Sequence, residues 1–220
     1  MNNTFNILHN ELGQAIRDSL NMIGIAIVLS IVVGGLIGLI LYLTSNPLFF
    51  KNKIINSIAG VIVNIIRSLP FVILLVLLIP VTKMMVGTSI GPQAASVPLS
   101  IASIAFFARI SEGAFNEVDK GVLEAAVASG AKIRLILTDV LIVEALPSLI
   151  RGVTVTLVSL IGFSAMAGIV GGGGIGDLAI RYGYYRYETG VMIATVIILV
   201  VVVQAIQFIG DAFAKVSSKR

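Results

Sequence analysis

The sequence predicts an all-α, polytopic membrane protein with five transmembrane helices and a cytoplasmic helix-turn-helix loop. Three observations predict it. Hydrophobic residues make up 57% of the 220-residue chain and charged residues 12%, with a mean hydropathy of +1.05; a soluble domain of that length cannot bury so much apolar surface. Apolar runs near the roughly 20 residues that cross a hydrocarbon core of about 30 Å recur along the chain. One polar break, from Arg109 to Arg151, holds 11 of the 26 charged residues and reads as two short helices. The absence of cysteine excludes a disulfide scaffold and thiolate metal sites, and His9 alone cannot form a His-based metal cluster. A net charge of +4 would suggest nucleic acid in a soluble protein. Here the basic residues are scattered around apolar segments, which is a topology signal, and no nucleic-acid partner is expected.

Residues 1–19 place Phe5, Leu8, Leu12 and Ile16 at helical spacing, with Glu11, Arg17 and Asp18 between them, and predict a short external interfacial helix. The first span follows at about 20–43, charge-free from Met22 to Leu41. A basic n-region and a small-residue cleavage site are missing, so it reads as a retained helix and not a signal peptide. Gly34 and Gly38 form a G-x-x-x-G pair that permits close helix approach. Lys51 and Lys53 mark a polar turn. Only 15 residues separate Arg67 from Lys83, so the second span is placed at 67–86, with both cations snorkelling to opposite interfaces. Residues 54–66 then lie at or enter the cytoplasmic face. A placement near 57–81 would set Arg67 at mid-membrane, at a cost of about 2.5–3.5 kcal/mol on insertion scales. The third span covers about 90–108, kinked by Pro98, and the fourth about 152–170. Gly171 to Glu188 is a loop, the fifth span covers 189–210, and 214–220 is a cytoplasmic tail.

Within the polar break, Asp119 is placed to N-cap a helix, Lys120 to Ser129 are good helix formers, and Gly130 stands where a left-handed residue ends it. A second stripe, Ile133, Ile136, Leu137, Val140 and Leu141, predicts a helix along the membrane interface that stops at Pro147. Basic residues orient the whole. With the break inside, ten Lys and Arg are cytoplasmic (Lys51, Lys53, Arg109, Lys120, Lys132, Arg134, Arg151, Lys215, Lys219, Arg220) and four are outside (Arg17, Lys83, Arg181, Arg186). The positive-inside rule therefore predicts an external N-terminus and a cytoplasmic C-terminus.

Chemistry is mostly excluded. Gly171 to Gly176 formally contains G-x-G-x-x-G but joins two spans, without the βαβ context of a dinucleotide site. Gly176 is followed by Asp177 and Leu178, not Lys and Ser/Thr, so it is no Walker A loop either. Those glycines are expected to let the backbone turn and pack closely at a span end. None of the predicted spans has an interior Asp or Glu, the group a proton-coupled carrier uses at depth, and no paired repeat is visible. The energy source is expected on another protein. The polar residues inside the spans, Ser100, Ser103, Thr154, Thr156, Ser159, Ser164, Thr195 and Gln204, are expected mostly to be satisfied by backbone carbonyls and neighbouring helices.

Glu124-Ala125-Ala126, then Gly130 and the pair Leu146-Pro147, resemble the EAA loop of ABC-importer permeases. Further segments resemble, in order, the methionine ABC-importer permeases: Arg67-Ser68-Leu69-Pro70-Phe71, Pro80, Gly87-Thr88-Ser89-Ile90-Gly91, Ala94-Ala95, Val97-Pro98-Leu99, Ser164-Ala165-Met166-Ala167-Gly168, Gly176-Asp177-Leu178 and Tyr182-Gly183-Tyr184. The resemblance covers nearly the whole chain from about residue 20. It implies a multi-pass subunit of a bacterial cell membrane, present as a homodimer, docked on two copies of a separate ATPase and fed by an external substrate-binding lipoprotein. It also implies that the chain is no enzyme and holds no cofactor, ATP and Mg belonging to the partner ATPase. Coupling to that ATPase falls to Glu124, Ala125, Ala126, Gly130, Leu146 and Pro147, in a loop spanning 112–150 of a transmembrane domain covering 20–213. Ser68, Phe71, Ser164 and Met166 are candidates to line an alternating-access path for L- or D-methionine. Val143 stands where many members have proline. A permease for another small amino acid or peptide is the near alternative, and a self-contained channel or scaffold the distant one.

Overall fold

The computed structural model describes residues 2–218, so Lys219 and Arg220 of the predicted tail lie outside the described residues. Every regular element among them is a helix. Helix α1, Asn3–Ser45, is 43 residues long with one π-helical turn at Ser30–Gly34. At 1.5 Å per residue that is about 64 Å, some twice the hydrocarbon core. The separate interfacial helix expected over 1–19 is therefore corrected: it runs into the first span without a break. No glycine or proline interrupts the chain from Gln14 to Ile23, and one buried face continues through Ala15, Ser19, Met22 and Ala26. Leu8 and Leu12 pack as the periodicity predicts, against Ile175, Leu178, Tyr182 and Val191, whereas Phe5 and Ile16 are exposed.

Helix α2 (Lys53–Ser68) starts on Asn52, whose side chain accepts from the amides of Ile54 and Ile55, each at 3.1 Å. It ends at Leu69, which is extended (φ −83°, ψ 129°) because the ring of Pro70 clashes with a helical predecessor. Helix α3 (Phe71–Leu77) leaves at 105° to α2, and α4 (Ile79–Val86) continues past Leu78. The single helix predicted at 67–86 is thus corrected to a chain broken at Leu69-Pro70. Residues 54–66 are also corrected: Ala59, Val63 and Ile66 pack against Ile37, Leu41, Ala105 and Ala108, alongside the first and third predicted spans. Phe71 and Leu75 then enter the core of Met22, Ala26, Leu99 and Leu160.

Helix α5 (Pro92–Asn116) contains Pro98 and runs past Arg109 for two further turns, longer than the predicted 90–108. It is the central post, with α1 to α4 packed on it. A β-carbon on Gly38 of α1 would lie 2.6 Å from the carbonyl of Ala108, and one on Gly34 2.8 Å from that of Ile104, so the G-x-x-x-G pair serves contact within the chain. Helix α6 (Lys120–Ala128) follows. The chain then forms one continuous helix through Ile133–Leu135, a π-helical stretch at Ile136–Leu141, and α7 (Ile142–Gly168). Finally α8 (Gly174–Leu178), a π-helical stretch (Ala179–Tyr184) and α9 (Thr189–Ser217) complete the chain.

Helices α1, α5 and α9 are long and apolar enough to cross a membrane, and the bent pair α2–α3 makes a fourth if counted as one broken span. Helix α7, the fourth predicted span, is 27 residues long and packs between α5 and α9. The chain is a multi-pass membrane protein.

Candidate functional site

The polar break folds as a short helix held by both ends and one side chain. Asp119 caps α6, accepting from the amides of Gly121 (2.6 Å) and Val122 (3.4 Å). Gly130 ends the turn with φ +71°, the left-handed conformation that glycine adopts without a Cβ penalty. Leu123 is the bolt. Fully buried, it sits in one cluster with Tyr42 of α1, Phe115 of α5, Val118, and Ile136, Leu141 and Ala145 of the α7 helix. The remaining face is bare: Glu124, Ala125 and Gly130 are exposed, Ala126 half-buried, and Val122 and Val127 are each 42% exposed. Such a surface offers small side chains and two aliphatic ones to a concave partner, with its backbone fixed from behind.

The second predicted helix differs. It does not stop at Pro147 but passes through it to Gly168: a proline costs a helix one N–H bond and strains it, and Ala145 and Leu149 on either side of it are held in the Leu123 cluster. Ile136 and Leu141 of the predicted stripe are buried as expected, Leu137 and Val140 partly, and Ile133 is exposed. Leu146 and Pro147 consequently lie on α7 and not at the end of a separate helix, with Leu146 lining an apolar groove beside Phe115 and Ile142.

A second feature is the seam where α5 meets α7. Two cavities lie along it. One, of about 330 Å³, lies where the Leu69-Pro70 bend, with Arg67, Phe71 and Leu74, meets Ala102 and Phe106 of α5 and Phe163 of α7; there Phe71 stacks on Phe163 with centroids 4.7 Å apart and planes 14° from parallel. The other, of about 360 Å³, is bounded by Arg109, Ile110, Gly113, Glu117, Ser148, Arg151 and Val155, and so lies toward α6. Arg109 is fully engaged: it pairs with Glu112 (2.6 Å) and donates to Asn64 Oδ1 (3.2 Å) and to the carbonyl of Gly60 (3.1 Å). A larger cavity, of about 810 Å³, lies between α1, α5, α7 and α9. Its lining is aliphatic and aromatic except for Thr154 and glycines, and the Thr154 hydroxyl already donates to the carbonyl of Ile150, so it offers nothing to orient a polar solute.

Of the four residues predicted for a path, only Phe71 is among the residues lining the two seam cavities. Met166 is 42% exposed, three positions beyond Phe163 and hence on the same flank of α7. Ser68, just before the bend, is exposed and donates to the carbonyl of Asn64 (2.7 Å). Ser164 is buried and donates to that of Ile161 (2.8 Å). Ser100, Ser103, Thr154, Thr156, Ser159 and Thr195 likewise donate to carbonyls three or four residues back, as a helix in hydrocarbon requires.

The segment Gly171 to Glu188, expected as a loop, is helical from Gly174 to Tyr184 and mostly buried up to Tyr182, while Tyr184 to Tyr187 are exposed. A β-carbon on Gly176 would lie 2.7 Å from the carbonyl of Ala165, so the glycine run brings α8 onto the backbone of α7. The amide of Ile175 donates to Ser19 Oγ at 3.0 Å. Arg181 pairs with Asp177 (3.1 Å) and with Glu11 of α1 (3.2 Å), tying this segment to the start of the chain.

Sequence reasoning missed Leu123 as the anchor of α6, and the charged rim formed by Arg109, Glu117 and Arg151. Their signal is present: Arg109, Gly113 and Glu117 recur every four residues along α5 and its C-cap, and Ser148, Arg151 and Val155 every three or four on α7, which puts each set on one face.

Comparison with known proteins places this architecture. The profile of the family described as "Binding-protein-dependent transport system inner membrane component" matches residues 26–220. The chain is 49% identical over 197 residues to a Vibrio cholerae protein named "Probable D-methionine transport system permease protein MetI", covering 90% of this chain and 88% of that one. It is 46% identical over 181 residues to the Bacillus subtilis "Methionine import system permease protein MetP", covering 82% of each. Among solved structures it matches "Inward facing conformations of the MetNI methionine ABC transporter", with a TM-score of 0.89, 42% identity and coverage of 94% and 95%.

Proposed function

The chain belongs to the binding-protein-dependent transport system inner membrane components and, within them, to the methionine-importer permeases, and on that premise we propose that it forms the membrane path of an ATP-driven methionine importer. Two copies dock on two copies of a cytoplasmic ATPase, which binds ATP and Mg, and an external lipoprotein delivers L- or D-methionine. The N-terminus is outside and α6 inside, the arrangement that the count of ten basic residues against four supports. Closure of the ATPases pushes the two α6 helices together and reorients the spans, so that the path opens alternately to either side.

One observation carries this reading. Helix α6 is bare on one side and bolted on the other, through Leu123, to the ends of α1, α5 and α7. A push on its outer face is therefore delivered to the helices that frame the α5–α7 seam, and rigid packed elements transmit such displacements. The test is purification of the detergent-solubilised protein from its own cells, followed by reconstitution with whatever co-purifies. A partner with a Walker A motif, and ATP-dependent uptake of labelled methionine into vesicles, are expected. Uptake that proceeds without any ATPase would overturn the reading in favour of a self-contained channel, and stronger competition by another amino acid than by methionine would reassign the substrate.

A further inference from the structure

The cavity of about 360 Å³ between α5 and α7 has a lining the transport reading does not by itself require. Its volume lies within the range of about 300–1,000 Å³ typical of small-ligand sites. Three charged side chains border it, and they are not equivalent. Arg109 is consumed by Glu112, Asn64 and Gly60. Arg151, one turn beyond Ser148 on the facing helix, donates no hydrogen bond and forms no ion pair among the described residues. Glu117, exposed like Arg151, accepts from Ser148 Oγ through Oε2 (2.6 Å), which leaves Oε1 without a hydrogen bond among the described residues. Between the available guanidinium and the available carboxylate oxygen the walls are Ile110, Ala114 and Val155.

This is a lining with one positive and one negative anchor and an apolar floor. An inorganic anion would meet the carboxylate of Glu117, and a simple cation would meet two guanidinium groups. A zwitterion with a hydrocarbon-like side chain satisfies all three surfaces at once. We propose that this cavity is an exit vestibule that binds the free amino acid: Arg151 forks onto the α-carboxylate, Glu117 Oε1 accepts from the α-ammonium, and the side chain lies on Ile110 and Val155. The inference rests on the importer reading and deepens it. The vestibule lies between the two helices that also carry Phe106 and Phe163 of the other cavity, and Glu117 on its rim stands two residues before the cap Asp119 of α6. A solute leaving the Phe71–Phe163 stack thus meets its last polar anchors on the chain leading into the element that the ATPase moves.

The test uses the intact complex of this chain with its ATPase partner, free of nucleotide, and a photoactivatable diazirine analogue of methionine. Illumination followed by peptide mapping is expected to label residues 109–117 or 148–155 of this chain, with the label displaced by excess methionine. N-acetylmethionine, which lacks the ammonium, and methionine methyl ester, which lacks the carboxylate, should displace it at least tenfold less well. Arg151→Gln and Glu117→Gln should each lower the labelling about tenfold, and Arg151→Lys should restore part of it. Labelling that avoids both stretches, equal displacement by the two blocked analogues, or an Arg151→Gln complex labelled within twofold of the parent would each overturn the vestibule. Uptake of labelled methionine by the unsubstituted complex is measured in parallel. Intact uptake with labelling elsewhere sinks the vestibule alone, whereas absent uptake sinks the importer reading.

Discussion

Leu123 of α6 and Tyr42 of α1 meet in one buried cluster, so this short helix is fastened to the C-terminal end of the first helix and not merely to its chain neighbours. Leu123 is the one residue of α6 that is fully buried. Leu123→Ala should cost about 2–5 kcal/mol of local stability, the transfer and cavity terms together. Because α6 has no other buried anchor, the loss should appear as undocking and not as global unfolding. Amide exchange over 121–128 should accelerate strongly while exchange in α5 stays slow, and ATP hydrolysis should persist with reduced uptake. Unchanged exchange over 121–128 would refute the bolt.

The cap of the same helix provides an independent handle. Asp119 accepts from two amides of the first turn, and replacing such a cap by alanine costs about 0.5–2 kcal/mol. Asp119→Ala should therefore weaken uptake in the same direction as Leu123→Ala but less. Asp119→Asn, which keeps the acceptor oxygen and loses the charge, should behave like the parent. If the asparagine variant is as impaired as the alanine one, the residue acts through its charge on a partner and not as a cap.

Gly130 separates backbone strain from surface fit. A β-carbon there would meet nothing within 4 Å, but φ is +71°, a conformation that costs a residue with a β-carbon about 1–2 kcal/mol. Asparagine tolerates it best among the others. Gly130→Asn should thus fold normally and retain much of the uptake, whereas Gly130→Asp adds a negative charge beside the bare face. Gly130→Asp is expected to leave the subunit inserted and paired with its ATPase while uncoupling hydrolysis from uptake. Vesicles of that variant with unchanged uptake per ATP would remove Gly130 from the docking surface.

What the sequence disclosed follows the range of the forces involved. The helix between Asp119 and Gly130 was legible because a cap and a left-handed stop act within a few residues. The break at Leu69-Pro70 carries an equally local signal, but the spacing of only 15 residues between Arg67 and Lys83 favours a single helix at 67–86, which the bend replaces. Helix α8 was read as loop because its glycines have no helix preference; it folds through contact with α7 and Ser19, partners far away in sequence. The continuity of α1, and of α7 through Pro147, likewise rests on buried faces that only the packed structure defines. Arg151 enters the sequence reading only as a topology charge and Glu117 only as one charge of the polar break, and their shared cavity appears only when α5 and α7 are brought side by side.

The two kinds of glycine in this chain should respond oppositely to alanine. A β-carbon on Gly176 would press on the backbone of Ala165, 2.7 Å from its carbonyl oxygen and 2.9 Å from its carbonyl carbon. Backbone cannot swing aside as a side chain can, so α8 must lift from α7, and overpacking of this kind costs about 1–3 kcal/mol or more. Gly13 lies inside α1 with nothing within 4 Å of the added carbon, and there alanine removes the entropic penalty of glycine in a helix, a gain of about 0.5–1 kcal/mol. Thermal unfolding of the detergent-solubilised dimer should show Gly176→Ala melting below the parent and Gly13→Ala at or above it. The Gly176 effect should also reach the other elements that α8 touches. The Arg181 pairs with Asp177 and Glu11 depend on the seat of α8, so added salt should lower the melting point of the parent more than that of Gly176→Ala. Equal salt sensitivity of the two proteins would mean that α8 keeps its seat despite the clash.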